Sequence, residues 1–211
     1  MINANGFKPA FYFTLTVSLT FVSGFASANP TGGQIVHGQA VISNPDALNT
    51  VINQNSQSLI TNWQSFSIAQ PETTTFNQPN SSAVALNRVV GGDPSKILGT
   101  LKANGQVFIS NPSGVLFGKN AQVNVHGLMA TTANMSDKDF IQGNYQLTHG
   151  TGQTNAAVIN QGTIEAASYV ALFGAAVLAA LAVAPHLPYS FVELVRGATA
   201  DPSRVARARA W

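Results

Sequence analysis

The chain contains no cysteine in 211 residues. Disulfides, zinc–thiolate sites and cysteine nucleophiles are therefore excluded, and an exported chain of this kind must hold together by packing and backbone hydrogen bonds. Charge is also scarce. Charged residues make up 9% of the chain, against about 25% in ordinary globular domains. The net charge of +2 arises at the end, where Arg196, Arg204, Arg207 and Arg209 outnumber Glu193 and Asp201. Everything before Ala175 sums to zero, so there is no basic face to meet phosphate and no nucleic-acid partner is expected.

Chemistry-bearing constellations are equally sparse. His37, His126, His149 and His186 lack the spacing of metal ligands. Asp137 and Asp139 form the only close carboxylate pair, with Lys138 between them, and read as a solvated loop rather than an acid/base pair. Ser113 sits in Asn-Pro-Ser-Gly, without a nucleophile elbow. No catalytic residue, metal or cofactor is expected.

What the chain does have is turn chemistry and short strands. From Asn29 to about Asn160 there is no convincing helical periodicity. Short apolar pairs are separated by Gly, Pro, Asn and Asp, as in Asn44-Pro45-Asp46 and Gly91-Gly92-Asp93-Pro94. The most regular stretch runs from Asn104 to Gly127. There Val107/Ile109, Val115/Phe117 and Val123/Val125 each have the i, i+2 spacing of one strand face, and each pair begins eight residues after the last. Three such strands with turned corners make one solenoid coil of roughly two dozen residues. The expected fold is all-β: a right-handed parallel β-helix with an N-terminal β cap and a side hairpin or loop. The six apolar residues of the beat point inward, and Lys119 lies on an outer corner. Corner glycines and asparagines are expected in left-handed conformations. The less regular region before residue 100, with Trp63, Phe66 and Phe76, is the expected cap, burying Trp63 and Phe66. Asp137–Tyr145 breaks the beat and reads as the loop or hairpin leaving the helix.

The two ends differ from this pattern. Residues 1–28 read as a signal peptide: Lys8, a largely apolar Phe11–Phe25, then Ala26-Ser27-Ala28 in the small-x-small arrangement, with cleavage expected after Ala28. Residues 29–174 are the expected β-helix domain. Residues 175–211 form an atypical Ala/Arg-rich tail, read as truncated or frame-shifted. Within it and just before it, Tyr169–Ala184 is an unbroken apolar run, shorter than a typical membrane span.

Several separated stretches resemble one family. They are Asn62-Trp63-Gln64-Ser65-Phe66-Ser67-Ile68, Ser82 to Val89 containing Asn87-Arg88, Gly105 to Gly118 containing Asn111-Pro112-Ser113-Gly114-Val115, and Val158 to Ile164. Together they resemble the N-terminal secretion domain of two-partner secretion exoproteins of the filamentous-haemagglutinin type. The family pattern at the corner is Asn-Pro-Asn-Gly-Ile, so Ser113 and Val115 are mild departures. The resemblance implies a capped right-handed β-helix in a Gram-negative bacterium. It implies export through the Sec pathway to the periplasm, then recognition by an Omp85-type outer-membrane β-barrel transporter with periplasmic recognition domains, and a secreted or cell-surface product. It marks Asn111, Pro112, Ser113, Gly114 and Val115 as the transporter-recognition and folding motif, and Asn62, Trp63, Phe66, Asn87 and Arg88 as further family-type residues. A self-standing adhesin binding a host cell surface and a polysaccharide-active enzyme are the alternative readings.

Overall fold

The computed structural model describes residues 28–148 and 156–178 in full, together with the backbone of Ala179, Val192–Arg196 and Ala206–Arg207. The expected signal peptide before Ala28, His149, His186 and most of the tail lie outside the described residues.

Strands wind into three faces. The first face stacks Asn49–Gln54, Thr73–Asn77 and Thr100–Ala103 on the opening halves of two long strands, Gln122–Thr131 and Thr163–Gly174, all parallel. The second stacks Ser58–Trp63, Val84–Val89 and Gln106–Ser110 on the closing halves of the same two strands, with Val192–Arg196 beyond them. The third stacks Ser95–Ile97, Val115–Phe117, Ala157–Asn160 and Ala176–Ala179. Thr100 pairs with Gln122, Gln106 with Gly127 and Ser95 with Val115, so the chain returns to the same face after roughly two dozen residues. This is the right-handed parallel β-helix expected from the beat. Tyr169–Ala179 lies in strands of the solenoid, not in a membrane helix. Among the described residues no helix is long and apolar enough to cross a membrane.

The interior follows from strand alternation. Val107, Ile109, Val115, Phe117, Val123 and Val125 all belong to one buried cluster. Register places like on like: Leu59, Ala85, Val107 and Leu128 form one column, Val115, Val158 and Val177 another, and Ile97 lies opposite Phe117. Each such Val, Leu or Ile contributes about 1.5–3 kcal/mol on burial, and the gain repeats coil by coil.

The cap is smaller than expected. Gln34–His37 and Ala40–Asp46 pair antiparallel against Ser58–Trp63 and Asn49–Gln54 respectively, with Thr31 bridging Ser65 in the same sense, and they close the sheet edges that would otherwise pair with other chains. Trp63, Phe66 and Phe76 are not in the cap but in the first two coils, where parallel stacking already holds. Longer corners such as Pro79–Ala83 break the eight-residue beat there without breaking the stack.

The excursion after Thr131 is the side hairpin of the two forms expected, Asn134–Met135 with Gln146–Thr148, and it encloses a one-turn helix, Asp137–Ile141, whose N-cap Ser136 accepts from the Asp139 amide. It does not leave the solenoid for solvent. Met135, Phe140, Tyr145 and Leu147 lie over Ile60, Leu86, Phe108 and Met129, the outward residues of the second face. Phe108 meets Tyr145 edge-on at 5.0 Å and Phe140 at 6.0 Å between ring centroids.

Candidate functional site

The motif residues fall into three places, because neighbours on a strand point to opposite faces. The first is the corner Asn111-Pro112-Ser113-Gly114. Asn111 is wholly buried. Its Oδ1 accepts from the Ser113 amide at 2.9 Å, and its carbonyl accepts from the Gly114 amide at 3.0 Å, closing the turn. Its Nδ2 donates to the Asp93 carbonyl at 3.0 Å and to Ser95 Oγ at 2.9 Å in the preceding coil. Its own amide donates to the Thr131 carbonyl in the following coil at 2.9 Å. One side chain and its backbone therefore tie three coils. The left-handed strain falls on Gly114, φ 116°, where a side chain would crowd the Ala157 carbonyl. The expectation that corner asparagines share that conformation is not met: among the described residues Tyr145 alone of the non-glycines has positive φ. Asn111 has no need of it, since its side chain supplies the turn bond while the glycine takes the bend.

The second place is interior. Trp63 and Phe66 are buried and pack edge-on at 5.6 Å between ring centroids. Trp63 Nε1 donates to Asn87 Oδ1 at 3.0 Å. Asn87 in turn donates to the Ala85 and Phe108 carbonyls, so this buried amide is satisfied at both ends. Gly33 lies against the indole so closely that a Cβ would stand 2.6 Å from it.

The third place is outside. Arg88 donates to Asn62 Oδ1 at 3.1 Å, to the Met135 carbonyl at 2.8 Å and to Asp137 Oδ1 at 2.6 Å. The family-type pair Asn62 and Arg88 thus clasps the base of the excursion. Asp137 is not the merely solvated residue expected from sequence: it closes an ion pair across 49 positions of chain. Asp139 caps the one-turn helix through Ser136, so the two carboxylates have separate structural partners.

Two polar features were missed by sequence reading. Gln54, Gln78 and Asn104 form a ladder at the corner between the first and second faces: Gln78 Nε2 donates to Gln54 Oε1 at 3.1 Å, and the Gln78 amide donates to Asn104 Oδ1 at 2.7 Å. The recurrence of amides at this corner was the available signal. Tyr169 donates to Gln106 Oε1 at 2.6 Å across the second face. Burial, with a smaller contribution from nearby Tyr145, pushes its phenol well above the usual range. Among the described residues no three His, Cys, Asp or Glu side chains gather as a metal site.

The described residues thus form a capped parallel solenoid with a clasped outer hairpin and amide-tied corners. The chain belongs to the TPS secretion domain family, whose model matches residues 26–203. It is 40% identical over 139 residues to a heme/hemopexin-binding protein of Haemophilus influenzae, covering 64% of this chain and 15% of that one. A second heme/hemopexin-binding protein of that species is 38% identical over 168 residues, covering 75% and 18%. The chain thus spans less than a fifth of the curated relatives it matches. Among solved structures it is similar to the HMW1 secretion domain of H. influenzae, with 31% identity, TM-score 0.60, and coverage of 68% of this chain and 37% of that one. The protein is a secretion domain of the exoprotein type, and its export across the outer membrane of a Gram-negative bacterium follows from that membership.

Proposed function

We propose that residues 1–28 direct the chain through the Sec pathway, and that residues 29–174 are the unit met in the periplasm by an outer-membrane barrel transporter through its periplasmic recognition domains. Beyond the outer membrane this unit nucleates β-helix folding. The observation that carries the reading is Asn111: a corner residue, wholly buried, that bonds to the coils on both sides of its own. Such a residue suits the corner to a folding nucleus, because the coil cannot close on its neighbours without it. The role is non-catalytic. Heme/hemopexin binding is named for relatives several times longer than this chain, and for this segment we assign export alone.

The test is a double variant, Asn111→Ala with Gly114→Val, in a strain carrying the matching transporter. The ratio of mature protein in the medium to that in the periplasm is measured. A fall of about tenfold is expected, because lost turn bonds and a strained φ each cost about 1–2 kcal/mol. A ratio equal to wild type refutes the corner's role in export.

A further inference from the structure

Glu72 is a carboxylate 2% exposed, and among the described residues no Lys or Arg lies within ion-pairing distance of it. Its oxygens accept from two backbone amides: Oε2 from Ala69 at 2.7 Å and Oε1 from Ala28 at 2.8 Å. An ion so buried is costly unless a cation meets it. The residue after Ala28 holds an acceptor that is unmet. Asn29 is 5% exposed, and its Oδ1 has no partner. Both acceptors stand at the point where the small-x-small sequence Ala26-Ser27-Ala28 ends.

We infer that Glu72 and the Asn29 side-chain oxygen form a receptor for the chain's own processed N-terminus, an α-ammonium on Asn29. The inference rests on the reading of residues 1–28 as an export signal. Hydrolysis of the Ala28–Asn29 amide by a signal peptidase places the water oxygen on the Ala28 carbonyl carbon. The Asn29 nitrogen keeps the bond electrons, takes up protons and becomes the ammonium. Ala28 then departs and takes with it the amide that served Glu72 Oε1. The new ammonium is one residue away, about 3.8 Å along the chain, and carries three donors where the peptide carried one. That suffices for both Glu72 Oε1 and Asn29 Oδ1. Asn29 is already held in place: its Nδ2 donates to the Ala47 carbonyl at 2.8 Å, and two residues on Thr31 pairs with Ser65. Asp93 and Lys96 line the same cleft as Ala28, Asn29 and Ala69, with neither within ion-pairing distance of the other or of Glu72. Processing therefore replaces a neutral donor on a buried carboxylate with a charged one and fastens the cap to the second coil.

The experiment uses the full chain purified from the periplasm. Mass spectrometry is expected to find Asn29 first. Labelling with an N-terminus-selective aldehyde is expected to run about tenfold slower on the folded wild type than on the urea-unfolded chain, because an ammonium held by a carboxylate offers less free amine. Glu72→Gln should restore the fast rate. Should that variant fail to fold, Ser-Gly-Ser inserted between Ala28 and Asn29 moves the ammonium away while leaving Glu72 intact, and should label at the unfolded rate and melt lower. Equal labelling of wild type and the extended variant overturns the receptor while leaving the export reading in place. A chain that still begins at Met1 overturns the export signal and the receptor with it.

Discussion

The second face of the solenoid carries two apolar stacks back to back, and they are built on different terms. The inner stack, with Leu59, Ala85, Val107 and Leu128, faces an interior that every coil extends. The outer stack, with Ile60, Leu86, Phe108 and Met129, has no such partner and is dry only because the Asn134–Thr148 excursion lies on it. Among the described residues no element covers the first face, and there the outward positions Asn53, Lys102 and Asn124 are polar. A strand's outer composition thus follows from what lies across it rather than from the coil it belongs to.

Changes to the two stacks should separate them. Phe117→Ala, in the interior, should cost the most, about 3–5 kcal/mol, read by urea denaturation, and the loss should be the same with or without the excursion. Phe108→Ala, under the excursion, should cost somewhat less, about 3 kcal/mol. That loss should nearly vanish in a chain whose residues 132–148 are replaced by a short Gly/Ser linker; an undiminished loss there would mean the outer stack does not depend on its cover. Asn87→Leu, on the interior side, strands Trp63 Nε1 and should cost about 1–3 kcal/mol, visible as a lowered melting temperature and altered tryptophan fluorescence. Asp137→Asn weakens a clasp whose aspartate is half exposed, and should cost under about 1 kcal/mol and be masked by salt. Lys119→Ala, on an exposed corner, sets the baseline at under about 0.5 kcal/mol.

The inner stack was legible in the sequence and the outer one was not, for a definable reason. Reading Val107/Ile109 as an i, i+2 pair finds the inward face and passes over Phe108. The signal was nonetheless present. Leu59-Ile60, Val84-Ala85-Leu86, Val107-Phe108-Ile109 and Leu128-Met129-Ala130 are continuous apolar runs, whereas Val123-Asn124-Val125 on the uncovered face alternates. A continuous run marks a strand buried on both sides. The Asn111 turn was readable from local chemistry, since Asx and glycine preferences act within four residues. Its bonds to Asp93, Ser95 and Thr131 depend on register between coils. The Arg88–Asp137 pair depends on the fold as a whole, and no local spacing announces it.

The excursion has a consequence in time as well as in space. Its seat is assembled from the first four coils, through Ile60, Leu86, Phe108 and Met129, yet its own residues come after Met129 in the chain. A polypeptide made from its N-terminus onward therefore lays down four rows of the seat before the strap, and the fifth, with Tyr169, Ala171 and Phe173, after it. The strap is thus seated against strands laid down both before and after it, and its cover is finished only when the coil that follows it closes on the same cluster.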